Sequence, residues 1–131
     1  MGKMLLDIEI TSPDEKTATV KAVFDSGSFY SILRKDKVPK GAAFLRRKVP
    51  RSFRAAAKGN QLSATGELSL VMSIQGKQID DLVLISPDLS QEMLVGAGTM
   101  QKWDISIVTR KGRTEIAVGR DMRDPDITAV D

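Results

Sequence analysis

The residues of this chain best suited to chemistry are Asp25-Ser26-Gly27-Ser28. They put a carboxylate on a tight, glycine-containing turn between two apolar stretches, residues 17–24 and 29–33. A carboxylate between core-forming segments loses part of its hydration, and chains that keep one there often use it for acid–base work. Few other groups compete. The chain has no histidine and no cysteine. Serine–histidine and cysteine–histidine catalysis, thiolate chemistry, disulfides and the commonest zinc ligands are therefore excluded. Any catalysis must rest on Asp, Glu, Lys, Tyr, Ser or Thr. The adjacent acids Asp80 and Asp81 have no companion ligands in sequence and read as surface. Neither a metal site nor a cofactor is expected.

The elements that must position Asp25 are short and mostly extended. Residues 4–10 alternate, with Met4, Leu6, Ile8 and Ile10 on one face, and residues 16–24 repeat the pattern after the Ser12-Pro13-Asp14-Glu15 turn. The two predict a hairpin that delivers Asp25 at its far end. Residues 29–33 read as a third strand. Residues 66–74 alternate cleanly, turn at Gln75-Gly76-Lys77 and return as 78–85. Residues 92–95 form a short buried strand ahead of Gly96-Ala97-Gly98, and residues 99–103 suit one or two helical turns. A last hairpin, 104–109 with 114–118, closes around Lys111-Gly112. Many short strands and one short helix predict an all-β barrel or sandwich.

At 131 residues and 41% hydrophobic, the chain is long enough for one domain around one core. That domain is expected over residues 1–119, with a polar tail, 120–131, that frays. No apolar run approaches the roughly 18 residues that span a bilayer, so no membrane partner is expected. The first residues meet a charge too early for a signal-peptide core, and the expected location is cytoplasmic.

Charge is unevenly placed. Residues 34–58 hold ten basic residues and one acid, Asp36, a local charge of +9; the rest of the chain has ten basic and sixteen acidic residues, −6. The plain reading is a solvated face, and the sharper one is a surface that steers an acidic partner, either peptide or phosphate. Nucleic acid is disfavoured, because the block holds Phe44 and Phe53 but no run of stacking aromatics. Tyr30, Trp103 and the scattered methionines read as packing.

Four pieces in order resemble the retropepsin-like aspartic proteases: Val23-Phe24-Asp25-Ser26-Gly27-Ser28; a flap-like hairpin over residues 51–66; the strand pair 68–74 and 79–85; and Met93-Leu94-Val95-Gly96 ahead of a short helix. The resemblance covers residues 4–118. It departs in three places: Ser26 stands where Thr is commoner, Gly98 where a polar residue is frequent, and the flap tip has a single glycine, Gly59.

The resemblance implies a closed barrel with a flap and one short C-terminal helix, acting as a homodimeric endopeptidase on peptide or protein substrates. Asp25 would be catalytic. There is no second Asp-Ser-Gly or Asp-Thr-Gly, so a paired carboxylate would come from a second copy. Ser26 would tie the turn across the two-fold axis, Gly27 would let the backbones approach, and Ser28 would bond the carboxylate. Gly96 would pack beneath the loop, and Ala56, Ala57, Lys58 and Gly59 would touch substrate. Two other readings stay open: a protease-fold dimerisation or binding module with little or no hydrolysis, and a barrel binding nucleic acid through residues 34–58.

Overall fold

Six strands close on one another, and a seventh extends one of them as a hairpin arm. The computed structural model describes residues 3–54 and 61–124. Its strands are β1 (Lys3–Thr11), β2 (Thr17–Asp25), β3 (Ile32–Arg34), β4 (Leu45–Arg54), β5 (Gln61–Ile74), β6 (Lys77–Ser86), β7 (Met93–Gly96), β8 (Ile105–Arg110) and β9 (Arg113–Val118); one helix, α1 (Ala97–Lys102), follows β7. The order β1-β2-β7-β3-β6-β5 returns to β1 through Glu9↔Ser73, Ile10↔Met72 and Thr11↔Val71. This closure removes the free edges an open sheet would leave. Among the described residues β4 pairs only with β5, and β8 and β9 form a separate hairpin.

Alternation in sequence becomes inside and outside in the barrel. Ile8 and Ile10 of β1, Val20, Ala22 and Phe24 of β2, Leu68, Leu70, Met72 and Ile74 of β5, and Ile79, Val83 and Ile85 of β6 meet in one buried cluster. Met100 of α1 and Ile105, Ile116 and Val118 of the last hairpin close its end. Phe24 is fully buried directly before Asp25. Emptying that site by Phe24→Ala would cost about 3–5 kcal/mol. The position of the acid is therefore tied to the packing of the core.

The hairpins form where their turn chemistry requires. Gln75-Gly76 and Lys111-Gly112 all take positive φ, at 51°, 79°, 52° and 76°. This is the pattern of tight turns whose twist matches the strands they join.

Three local expectations are corrected. The third strand covers Ile32–Arg34 and not residues 29–33; the carbonyls of Ser28 and Phe29 are taken by the amides of Ala97 and Gly98 and leave the ladder. β5 begins at Gln61, so the expected strand 66–74 is the second half of a longer one. Its partner β4 begins at Leu45, and the pairing register shifts between Arg46 and Arg51, where Pro50 cannot donate to a ladder.

The tail expected to fray over residues 120–131 is held as far as residue 124, and its last seven residues lie outside the described ones. The Arg120 amide donates to the Trp103 carbonyl (3.0 Å) and the Met122 amide to that of Gln78 (2.7 Å). The Asp121 side chain is only 6% exposed, with its carboxylate accepting from the Arg123 amide (3.2 Å) and Nε (3.0 Å). Burial would raise its pKa, but the bonds from Arg123 outweigh this and hold it below the usual carboxylate range.

Candidate active site

Asp25 is the last residue of β2. It is flanked in register by Lys3 of β1 and Gly96 of β7. The chain turns sharply after it: the Ser28 amide donates to the Asp25 carbonyl (3.2 Å), and the Gly27 amide donates to the Asp25 carboxylate Oδ1 (2.9 Å). The carboxylate is thus oriented by the backbone of its own turn, half-buried, while Ser26 and Gly27 are exposed. A Cβ at position 27 would lie 3.1 Å from Oδ1, so glycine leaves the carboxylate room. The Ser28 hydroxyl donates to the Tyr30 carbonyl (3.1 Å), not to the carboxylate as expected.

Beneath this loop lies the junction of β7 and α1. A Cβ on Gly96 would meet the carbonyl oxygens of Ser28, Phe29 and Tyr30 together, at 2.7 Å and 2.6 Å for the first two. The carbonyls of Ser28 and Phe29 crowd here because they serve the start of α1, which has no side-chain cap. The Ala97 amide donates to Ser28 and the Gly98 amide to Phe29 (2.9 Å). At Gly98 a Cβ would come within 3.0 Å of the Phe29 ring. Phe29 therefore occupies the room a polar side chain would need at position 98.

Sequence reasoning missed two residues. Ser31 and Thr99 are buried hydroxyls, 2.6 Å apart, and Ser31 Oγ accepts the Gly96 amide at 3.0 Å. The signal was available: small hydroxyl residues inside apolar stretches need partners when buried.

Tyr30 links the loop to the hairpin arm. Arg51 Nη2 of β4 donates to the Tyr30 hydroxyl at 2.6 Å, and the guanidinium lies 4.7 Å from the ring centroid. Tyr30, Leu62 and Leu94 pack on a second apolar cluster of Ile32, Ala64, Leu84 and Leu89, apart from the barrel core. Leu94 is two residues before Gly96 on β7, so this cluster adjoins the strand that flanks Asp25. The flap residues Ala56, Ala57, Lys58 and Gly59 lie outside the described residues.

The basic block is spread along a loop and β4. Arg34 pairs with Asp36 and Arg47 with Glu67. Arg46 stacks over Phe44 at 5.5 Å, and Lys35, Arg46 and Arg47 border an open cleft with Pro50, Thr65 and Pro87. Among the described residues no cluster of three or more acidic residues could hold a metal ion, and no helix is long and apolar enough to cross a membrane.

Comparison of the whole chain with solved structures decides the architecture. The retroviral protease-like domain of Ddi1 from Leishmania major superimposes with a TM-score of 0.57 at 17% identity, over 91% of this chain and 98% of that one. The fold is retropepsin-like. A second retropepsin-like neighbour, EIAV protease in complex with the inhibitor HBY-793, gives a TM-score of 0.55 at 12% identity, over 82% of this chain and 93% of that one. No family model matches the sequence, and no curated protein does. The retropepsin-like resemblance thus rests on three-dimensional arrangement, which persists where sequence identity has fallen this low.

Proposed function

We propose that this chain is an aspartic-type endopeptidase that works as a homodimer, with Asp25 of each copy forming one catalytic pair. The observation that carries the reading is the Asp25 carboxylate, oriented by the Gly27 amide on an exposed turn of a retropepsin-like barrel.

The chemistry follows from pairing two carboxylates. At about 3 Å they cannot both ionise, so they share one proton and titrate together. The ionised member accepts a proton from a water held between them, and the water oxygen attacks the scissile carbonyl carbon. The protonated member donates to the carbonyl oxygen, giving a neutral tetrahedral intermediate. Protonation of the amide nitrogen and loss of the amine then complete hydrolysis. No metal or cofactor is needed. Ser26, exposed on the turn, would meet its symmetry mate, and Gly27 adds no side chain to hinder the approach.

Substrate would lie extended beneath the hairpin, pairing through its main chain, while the apolar cluster around Ile32 and Leu94 would receive side chains. Exclusion of water on closure would strengthen the electrostatics of the pair. Such an enzyme would be cytoplasmic. The test is incubation of the purified protein with a degenerate peptide library at pH 4–7, read by mass spectrometry. Cleavage by the wild type, absent in a folded, dimeric Asp25→Asn, supports the reading. A wild type that folds and dimerises but cleaves nothing favours a binding module.

A further inference from the structure

We propose that Asp81 is a positioning residue for the Asp25 loop, acting through Thr99 and Ser31 on the Gly96 amide; this rests on the protease reading given above. By its place in β6, Asp81 belongs to the core-facing set: it alternates with Ile79 and Val83, both fully buried. Its side chain is 25% exposed. An acid at a core-facing position needs partners, and this one has them. Oδ1 accepts the Leu82 amide at 2.9 Å, and Oδ2 accepts the Thr99 hydroxyl at 2.6 Å. Lys102 Nζ stands 3.9 Å from Oδ1 at the surface side.

The direction of the chain is fixed by valence. An ionised carboxylate only accepts, so Thr99 spends its single proton on Asp81. Thr99 Oγ1 is then left to accept, and the Ser31 hydroxyl donates to it. Ser31 Oγ is in turn left to accept the Gly96 N–H. Three bonds of 2.6, 2.6 and 3.0 Å therefore run one way, from the amide to the carboxylate. Each polarises the next. Thr99 and Ser31 are 2% and 4% exposed, so water does not replace a missing member easily.

The consequence falls on the catalytic turn. Gly96 pairs in register with Asp25 and lies against the carbonyls of Ser28, Phe29 and Tyr30. Without this terminal acceptor, both hydroxyls can rotate, the Gly96 amide loses its fixed acceptor, and the floor under the loop loosens. Small misplacements of a reacting group cost rate more than binding.

The experiment combines peptide-cleavage kinetics with amide hydrogen exchange on the full chain. Asp81→Ala is expected to lower kcat roughly tenfold with KM within about twofold, and to speed exchange at Gly96 while Ile107 and Ile116 of the last hairpin keep wild-type rates. Asp81→Asn, whose amide oxygen still accepts from Thr99, is expected to retain most of kcat. Thr99→Val should match Asp81→Ala, and the double variant should be no worse than either single one. If Asp81→Ala does not fold, Thr99→Val is read in its place. Unchanged exchange at Gly96, exchange raised equally throughout, or Asp81→Asn as damaging as Asp81→Ala would overturn the proposal. If the wild type cleaves nothing, the protease reading falls by itself, and the exchange at Gly96 still decides the hydrogen-bond chain.

Discussion

Gly96 lies directly beneath the carbonyl oxygen of Tyr30, with no room for even one added carbon. The obstruction is backbone on both sides, so it cannot be relieved by a side-chain rotation. Gly96→Ala must push the Asp25 loop outward or break the amide–carbonyl bonds that start α1. The expected cost is about 1–3 kcal/mol or more in stability, with loss of peptide cleavage. Urea unfolding and a cleavage assay on the same sample check both. A variant with unchanged midpoint and activity would show that the floor of the loop is soft.

Phe29 stands 61% exposed beside the Asp25 turn. Its ring is held edge-on to Tyr30, with centroids 5.2 Å apart, so it does not fold back into the core. In the proposed dimer this side chain would be covered. Burial of a phenylalanine contributes about 1.5–3 kcal/mol. Phe29→Ser is therefore expected to weaken self-association by roughly 10- to 100-fold, measured by sedimentation equilibrium, with little effect on the folding of the single chain.

Tyr30 and Arg51 bridge the Asp25 loop and the hairpin arm. Tyr30→Phe removes the hydroxyl but keeps the ring under the guanidinium, whereas Arg51→Ala removes both contacts. Arg51→Ala should accordingly raise KM more than Tyr30→Phe does, by several-fold against about twofold. A steady-state comparison of the two variants tests the order. Equal effects would mean that the bridge does not hold the arm over substrate.

Asp121 gives the fold an acid-sensitive fastener. Its folded pKa is held below its unfolded value, so the native state binds the proton less readily than the unfolded chain does. The resulting stability is complete above the ordinary carboxylate pKa, near 4, and is lost as pH falls through the lowered value. Asp121→Asn should melt earlier than wild type at pH 7, and the gap should narrow towards pH 3. Calorimetry at the two pH values reads the difference; a gap that widens on acidification would reverse the assignment.

Much of the barrel was legible because its strands bury one face and alternate accordingly. The Ile8/Ile10 and Leu68/Leu70/Met72/Ile74 runs show this, as do the glycine turns at 76 and 112. The loop after Asp25 was less legible. Its apolar residues, Phe29 and Tyr30, look like strand, yet the carbonyls of Ser28 and Phe29 are claimed by α1, an element distant in sequence. The Ser28 hydroxyl, expected at the carboxylate, turns instead to the Tyr30 carbonyl within the same loop. Asp81 was taken for surface although its parity with Ile79 and Val83 pointed inward, because a carboxylate at such a position is legible only once the buried hydroxyl that receives it is known. The held segment 119–124 was equally hidden: a polar composition suggests solvent, while its actual partners are the main chains of Trp103 and Gln78.

The central claim is that two copies of Asp25 act as one group, and mixing chains tests it most directly. Wild type and Asp25→Asn are combined in equal amounts, allowed to exchange subunits, and assayed at fixed total protein. A shared pair leaves only wild-type homodimers active, so the rate should fall to about a quarter of that of pure wild type. A rate of about one half, in proportion to the wild-type chains present, would mean that each chain works alone and would contradict the account.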